Sequence, residues 1–446
     1  MNQGFQQFHY ETLDEMTQEL VRLNISIPVS RDLSVLSRPV SIGKWKSPNA
    51  LACHPMEGSD ANLDGTPGPL TIRRYERFSA GGSGLIWFEA VAVAEEGKAS
   101  SRQLAIREDN VEAFKEIVDH IRDISLKTNG SEHIPLILMQ LTHSGRFSKP
   151  HDTNEPIIPC HNPVLDERSK VNSDTPIITD DELEVLEGKF VQAALLAQRA
   201  GFDGVDIKAC HRYLASELLS AFTREGKYGG SFEGRTRFIL NITDRIREAC
   251  GPDFLLGARI NLYDGIPYPY GWGVDKDDVN KPDYTEPLAL ASLLFQKGVR
   301  ILNATMGTPY FNPHVNRPYD KGGYIPDEHP LSGVARLLEG AGIIQHALPE
   351  LAVVGTGYTW LREFAPYFAS GAVLSGGAKL IGFGREAFAY PDYAKDILNG
   401  GAMMKTKCCI TCGKCAEILR AGGTSGCVIK DASVYAPLYK KFCNNS

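Results

Sequence analysis

Four cysteines near the carboxyl end of the chain, Cys409, Cys412, Cys415 and Cys427, are spaced C-x2-C-x2-C-x11-C. Three thiols at intervals of three residues can wrap one loop around three corners of a cubane. The fourth returns after the flexible GGTSG run at 422–426, a pattern typical of 4Fe–4S ligation. Structural zinc more often uses two separated C-x2-C pairs, so the spacing favours the cluster, with zinc as the alternative. Five of the ten cysteines fall between Cys408 and Cys427. Thiols clustered in this way point to metal binding rather than to disulfides. Cys408 and Cys443 are left as spares.

Further chemistry depends on where strands end. Short segments rich in Ile, Val and Leu recur at 50–56, 84–93, 134–141, 204–209, 255–260, 299–304, 351–355 and 379–382, and helical patterns lie between most of them. At 181–200, for example, Leu183, Leu186, Phe190, Ala194 and Ala197 share one helical face. Near-continuous apolar strands alternating with helices indicate parallel βαβ units. Eight of them predict an α/β protein built as a (β/α)8 TIM barrel, followed by a C-terminal cysteine-rich iron–sulfur segment. A doubly wound sheet is the rival, weakened because no GxGxxG follows an early strand.

The organisation expected is an N-terminal extension over 1–40, the barrel over 41–398 and the cluster-binding segment over 399–446. The extension holds a short amphipathic helix (Leu13, Met16, Leu20, Leu23) packed on the barrel floor or against another subunit. Residues 261–330, rich in Pro, Tyr, Gly and Asn, read as long loops over a binding face. The tail from Gly400 shows neither helical nor strand periodicity.

In such a barrel the chemistry sits at the carboxyl ends of the strands, and a phosphate often binds after strands seven and eight. The sequence has Gly355-Thr356-Gly357 after the seventh segment and Gly382-Phe383-Gly384-Arg385 after the eighth. Glycine turns let backbone N–H groups approach an anion, and Arg385 can add a charge-assisted fork. Either pair alone could simply turn the chain; the two together point to a phosphate-bearing cofactor.

Composition excludes other classes. The 446 residues are 43% hydrophobic and 23% charged, which is ordinary for a globular protein, and 47 basic against 54 acidic residues give a net charge of −7. With no Lys/Arg cluster, duplex nucleic acid and anionic membrane are not expected partners. The first thirty residues hold no apolar signal core and no run of eighteen apolar residues occurs, so the expectation is a cytoplasmic chain without a membrane span.

The stretch GFDGVDIKACHRYL at 201–214, with KYGGSFEGRTRF at 227–238, resembles the old yellow enzyme family of FMN-dependent oxidoreductases. QLTHSGR at 140–146 looks like that family's third-strand motif, and Pro55-Met56 like its first. The resemblance runs from about residue 40 to 430. It implies a (β/α)8 barrel with FMN at its carboxyl mouth, Gln140 on the flavin pyrimidine edge, and Arg259 near flavin N1 and O2. It also implies Gly357, Gly384 and Arg385 at the phosphate, His211 in a substrate-anchoring pair, and Tyr213 as a proton donor.

Two departures stand out. Lys208 takes the place of the first anchoring histidine, where it could polarise a carbonyl, meet a substrate carboxylate, or pair with a neighbouring acid, since a buried unpaired charge is costly. Glu57 stands near where many relatives place Thr or Cys beside flavin N5, which makes a covalent cysteinyl flavin improbable. The loop MGTPYFNPHVNR at 306–317 overhangs the predicted flavin face, with Tyr310, His314 and Arg317 as candidate substrate contacts.

A similar cluster follows the barrel in the 2,4-dienoyl-CoA reductase and trimethylamine dehydrogenase branch, whose members continue into a pyridine-nucleotide domain. This chain stops at Ser446. The expectation is therefore a separate electron donor (a reductase, ferredoxin or flavodoxin), with direct NAD(P)H reduction as the alternative. The leading reading is an FMN and 4Fe–4S ene-reductase acting on an alkene conjugated to a carbonyl. Its rivals are an enzyme oxidising a C–N or C–C bond with electrons leaving through the cluster, and a non-catalytic electron-transfer subunit. Homo-oligomers are common for such barrels.

Overall fold

Eight parallel strands close on themselves in the computed structural model, which describes residues 7–443. A hairpin of β1 (Val40–Ile42) and β2 (Trp45–Ser47) precedes them. The barrel strands are β3 (Leu51–Cys53), β4 (Leu85–Ala92), β5 (Leu136–Thr142), β6 (Gly204–Ala209), β7 (Leu255–Asn261), β8 (Val299–Thr305), β9 (Ala352–Gly355) and β10 (Leu380–Phe383). They pair in chain order and β10 returns to β3, which removes the doubly wound alternative. All eight expected segments are strands, because each is apolar on both faces, as a strand between a packed barrel interior and a helix layer must be.

Alternate residues divide the two faces. On β6, Val205, Ile207 and Ala209 pack outward into the main core shared with the helices. Inside, the lower barrel is apolar: Ala52, Leu85, Trp87, Leu138, Leu255 and Ile301 form one cluster, and Ile42 and Trp45 of the hairpin plug it from below. The upper layer is polar, with Gln140 in register with Asp206, Lys208 with Arg259, and Arg259 with Asn303. Glu89 interrupts β4 at a register shift between Phe88 and Ala90. Its carboxylate accepts from Arg74 and from the Gly58 amide (2.8 Å).

Three expectations are corrected. The N-terminal helix, Leu13–Arg22, is not on the floor, which the hairpin occupies. Its neighbours are rim residues: Tyr10 packs edge-on to Trp360, and Glu19 faces His329 at the start of the helix Pro330–Ala347. Residues 261–330 include the helix Thr285–Gln296, whose apolar composition masks amphipathic spacing. The tail contains two helices, Lys414–Arg420 and Ala432–Cys443, each too short for a clear period. Residues 1–6 of the extension and 444–446 of the tail lie outside the described residues. Among the described residues no helix is long and apolar enough to cross a membrane.

Candidate active site

The carboxyl ends of the strands open into a cavity with about 1210 Å³ of empty space. Its walls include Pro55, Met56, Glu57, Gln140, Arg259, Lys208, His211 and Tyr213. They also include Tyr310, Arg317, Thr356, Gly357, Gly382, Gly384 and Arg385. His314 is not among them. It turns away to Tyr324, whose hydroxyl is 2.5 Å from Nδ1, and towards Glu328, because the short helix Pro313–Asn316 rotates it to the far side. Gly355 lies within β9, below the cavity, rather than on its wall.

Lys208 is paired. Its Nζ donates to Glu57 Oε1 at 2.5 Å and sits 3.9 Å from the centre of the Tyr213 ring. The structure shows the pairing with a neighbouring acid among the roles open to this lysine. The Tyr213 hydroxyl lies 3.5 Å from Glu57 Oε2 and 3.0 Å from the Tyr310 hydroxyl, and Tyr310 stacks on Phe147 at 3.8 Å. Burial, with the Glu57 carboxylate nearby, pushes both phenols above their ordinary range.

The turn after β6 presents these groups at a conformational cost. His211 and Arg212 are consecutive non-glycine residues with φ of +62° and +65°, a conformation that costs on the order of 1–3 kcal/mol per residue. Asn261 Oδ1 accepts from the His211 amide at 3.3 Å, and Ser216 Oγ from the Arg212 amide at 3.3 Å. The buried Arg212 guanidinium is held by Asp264 (2.7 Å) and Ser220 (2.6 Å). Asn316 Nδ2 donates to His211 Nε2 at 3.0 Å, tying the 306–317 loop to the turn. Burial, then Arg259 and Lys208, hold His211 neutral, well below the usual imidazole range.

The cavity wall is also rich in unpaired cation. Arg259, Arg317, Arg385 and Arg420 form no ion pair among the described residues, and Glu57, the one wall carboxylate, is taken by Lys208. Burial and the neighbouring Arg385 lower Arg317 to about 10. Polar atoms on the wall lack partners at His54 Nε2, Arg259 Nε, Thr356 Oγ1 and Arg385 Nη1. Buried groups of this kind await a ligand. Gly357 has φ of +102°, and a Cβ on Gly382 would overlap the His54 ring.

The cysteine tail docks over the same mouth. Asp431 accepts from Arg73 (2.7 Å) and Arg77 (2.5 Å) of the helix Pro69–Ala80. The Ser425 amide donates to the Gly58 carbonyl at 2.7 Å, next to Glu57. Cys409, Cys412, Cys415 and Cys427 line a second cavity with about 360 Å³ of empty space. Cys415 and Arg385 form part of both walls.

Sequence reasoning missed His54, Asn316 and Arg420. His54 precedes Pro55-Met56 and Asn316 precedes Arg317, so the motifs already quoted could have raised them. Nothing in the sequence signals Arg420, which only the docked tail brings to the cavity.

The profile of the NADH:flavin oxidoreductase / NADH oxidase family matches residues 36–270, more than half of the sequence. The chain belongs to this family. Among its relatives within this flavin oxidoreductase family, the NADH oxidase of Thermoanaerobacter brockii is 28% identical over 90% of this chain, and the cinnamate reductase of Clostridium sporogenes 26% identical over 89%. The chain spans 58% of the length of each. Two solved structures share the fold. A 2-naphthoyl-CoA reductase complex has a TM-score of 0.66 at 20% identity, covering 82% of this chain and 52% of that one. The old yellow enzyme homologue from Zymomonas mobilis has a TM-score of 0.60 at 22% identity, covering 83% and 94%.

The residues present fit the flavin mononucleotide that this flavin oxidoreductase family implies. The unpaired Thr356 and Arg385, with the Gly357 and Gly384 turns, suit a phosphate. Gln140 and Arg259 offer donors to a polar ring edge, and Gln140 is oriented by Asp206, which accepts its Nε2 at 2.7 Å.

Proposed function

We propose that the protein is an FMN-dependent oxidoreductase that reduces an alkene conjugated to a carbonyl, with a 4Fe–4S cluster held by the tail. The observation that carries the reading is one cavity whose wall joins unpaired arginines and glycine turns to Tyr213, His211 and Lys208. In this assignment Gly357, Gly384, Thr356 and Arg385 hold the phosphate, aided by Arg317, which lies beside Arg385 and also within reach of Tyr310 and His211. Pro55, Met56, Gln140 and Arg259 frame the ring system. When bound, FMN supplies hydride chemistry to the substrate β-carbon.

The chain's own residues supply the rest. Lys208 keeps N–H groups free beyond the one given to Glu57, and with His211 it orients and polarises the carbonyl, stabilising developing enolate charge. Tyr213 delivers a proton to the α-carbon. Tyr310 borders the substrate. The cinnamate reductase relative, which is named for a conjugated acid, supports this substrate class.

Cys409, Cys412, Cys415 and Cys427 line one shared cavity, and their C-x2-C-x2-C-x11-C spacing favours a cluster over zinc. A cluster suits a one-electron donor such as a ferredoxin or flavodoxin, with NAD(P)H as an alternative reductant. In the proposed division of labour the barrel, 41–398, binds FMN and substrate and the segment 399–446 binds the cluster.

The test is an anaerobic absorption spectrum with iron and sulfide assays, followed by turnover with cinnamate and 2-cyclohexenone. Flavin bands with a broad brown shoulder and about four irons per chain are expected, with loss of the alkene on turnover. Flavin without iron would remove the cluster from the proposal, and no alkene reduction by a flavin-loaded, reduced protein would remove the reaction.

A further inference from the structure

Four side chains from three separate segments form a continuous line across the cavity wall: Lys208 to Glu57 (2.5 Å), Glu57 to Tyr213 (3.5 Å) and Tyr213 to Tyr310 (3.0 Å). A proton donor works once per turnover and must then be recharged. Tyr213 is buried, with 3% of its surface exposed, so bulk water has little access to it. Tyr310 is less buried, stands in the loop at the cavity mouth, and has its ring fixed by the Phe147 stack.

We propose that Tyr310 is the residue that reprotonates Tyr213, and that Lys208, held over the Tyr213 ring by Glu57, is a positioned cation that offsets the charge of the short-lived phenolate. This rests on the proposed ene-reduction, in which the electron pair arrives as hydride. When the Tyr213 O–H bond breaks and the α-carbon–H bond forms, a phenolate is left in a buried site. Lys208, 3.9 Å from the ring centre, stabilises that negative charge. The Tyr310 hydroxyl proton then passes to Tyr213, and a water molecule restores Tyr310. One hydride and one proton are added to the alkene, and no other reactant is required.

The charged and titratable groups bearing on the pair are few. Glu57, Lys208 and Cys210 surround Tyr213; Glu57, Arg317 and Arg420 surround Tyr310. Glu57, shared by both, acts against a charge on either phenol, and Lys208 offsets it only in part.

The experiment is anaerobic turnover of the holoenzyme with cinnamate and with 2-cyclohexenone, read through the first reoxidation of the reduced flavin and then at steady state with excess reduced methyl viologen, in H2O and D2O, from pH 6 to 9. Tyr213→Phe should slow reoxidation by about 100-fold or more. Tyr310→Phe keeps the ring on Phe147 and removes only the hydroxyl. It should slow steady-state turnover roughly tenfold with a larger solvent isotope effect, and by more than it slows the first reoxidation, while flavin content stays at the wild-type value. A Tyr310→Phe enzyme with wild-type rate, isotope effect and pH profile overturns the relay alone, provided that Tyr213→Phe is impaired. A silent Tyr213→Phe, or failure of both probes to reoxidise the wild-type enzyme, overturns the underlying reading and the relay with it.

Discussion

Lys208 and Glu57 are 151 positions apart in the chain, yet their ammonium and carboxylate groups meet at 2.5 Å. Lys208 is held at the top of β6, where its register with Arg259 turns it into the barrel mouth. Glu57 comes from the loop after β3, which is pinned by the Ser425 amide on the Gly58 carbonyl. The pair thus joins the substrate wall to the tail that bears the cysteines.

Breaking this pair from one side leaves a charge without its partner. Lys208→Met should lower stability by about 1–3 kcal/mol, and Glu57→Gln by less, because Glu57 is partly solvated. The double variant should recover part of the loss. Denaturant titration of the three proteins gives the coupling energy, and additive losses would show that the contact contributes nothing.

His143, buried in the motif after β5, accepts from the Gly145 amide at 3.1 Å. Burial lowers it from 6.5 to about 4. Its folded-state value is depressed, so the unfolded chain binds the extra proton first. Its contribution to stability is fully present above pH 6.5 and is lost as pH falls towards 4, by up to about 3 kcal/mol. His143→Gln, which keeps an acceptor, should flatten the fall in unfolding free energy across that window. An unchanged slope would place the acid sensitivity elsewhere.

At Gly382 even a methyl group would overlap the ring of His54 on the cavity wall. Gly382→Ala should displace His54 and weaken flavin retention at least about tenfold, equivalent to about 1.4 kcal/mol, without unfolding the barrel. Gly357→Ala, with φ of +102° and Leu337 close to the added carbon, should act in the same direction. Flavin dissociation measured by fluorescence checks both.

Asp431 is 6% exposed and binds two arginines of the helix Pro69–Ala80. Asp431→Ala should cost about 1–3 kcal/mol of docking energy and leave two guanidiniums unpaired. Iron should then be lost to a chelator faster than from the wild type, while far-ultraviolet melting of the barrel changes little. Cys412→Ser should remove iron outright yet retain flavin. Equal iron loss from wild type and Asp431→Ala would show that docking does not protect the cysteine cavity.

Much of this protein was legible without coordinates because its signals are local. A strand covered on both faces is largely apolar, with polar residues mainly at its carboxyl end and at Glu89, so eight short Ile-, Val- and Leu-rich segments marked the barrel to within a few residues. The thiol spacing and the glycine turns at 355–357 and 382–385 are likewise written in neighbouring residues, and each lies on or beside a cavity wall. Only tertiary structure decided what those residues meet. Whether Lys208 faced a ligand or an acid depended on where the β3 loop lay. His314 and Arg317, three positions apart, diverge because His314 lies in the short helix Pro313–Asn316 and Arg317 leaves it with extended backbone, so that one meets Tyr324 and the other lies beside Arg385. Arg420 reached the cavity because Asp431 and Ser425 dock the tail on the barrel rim. Burial and partner choice are set by segments distant in sequence, and no periodicity or spacing within one segment encodes them.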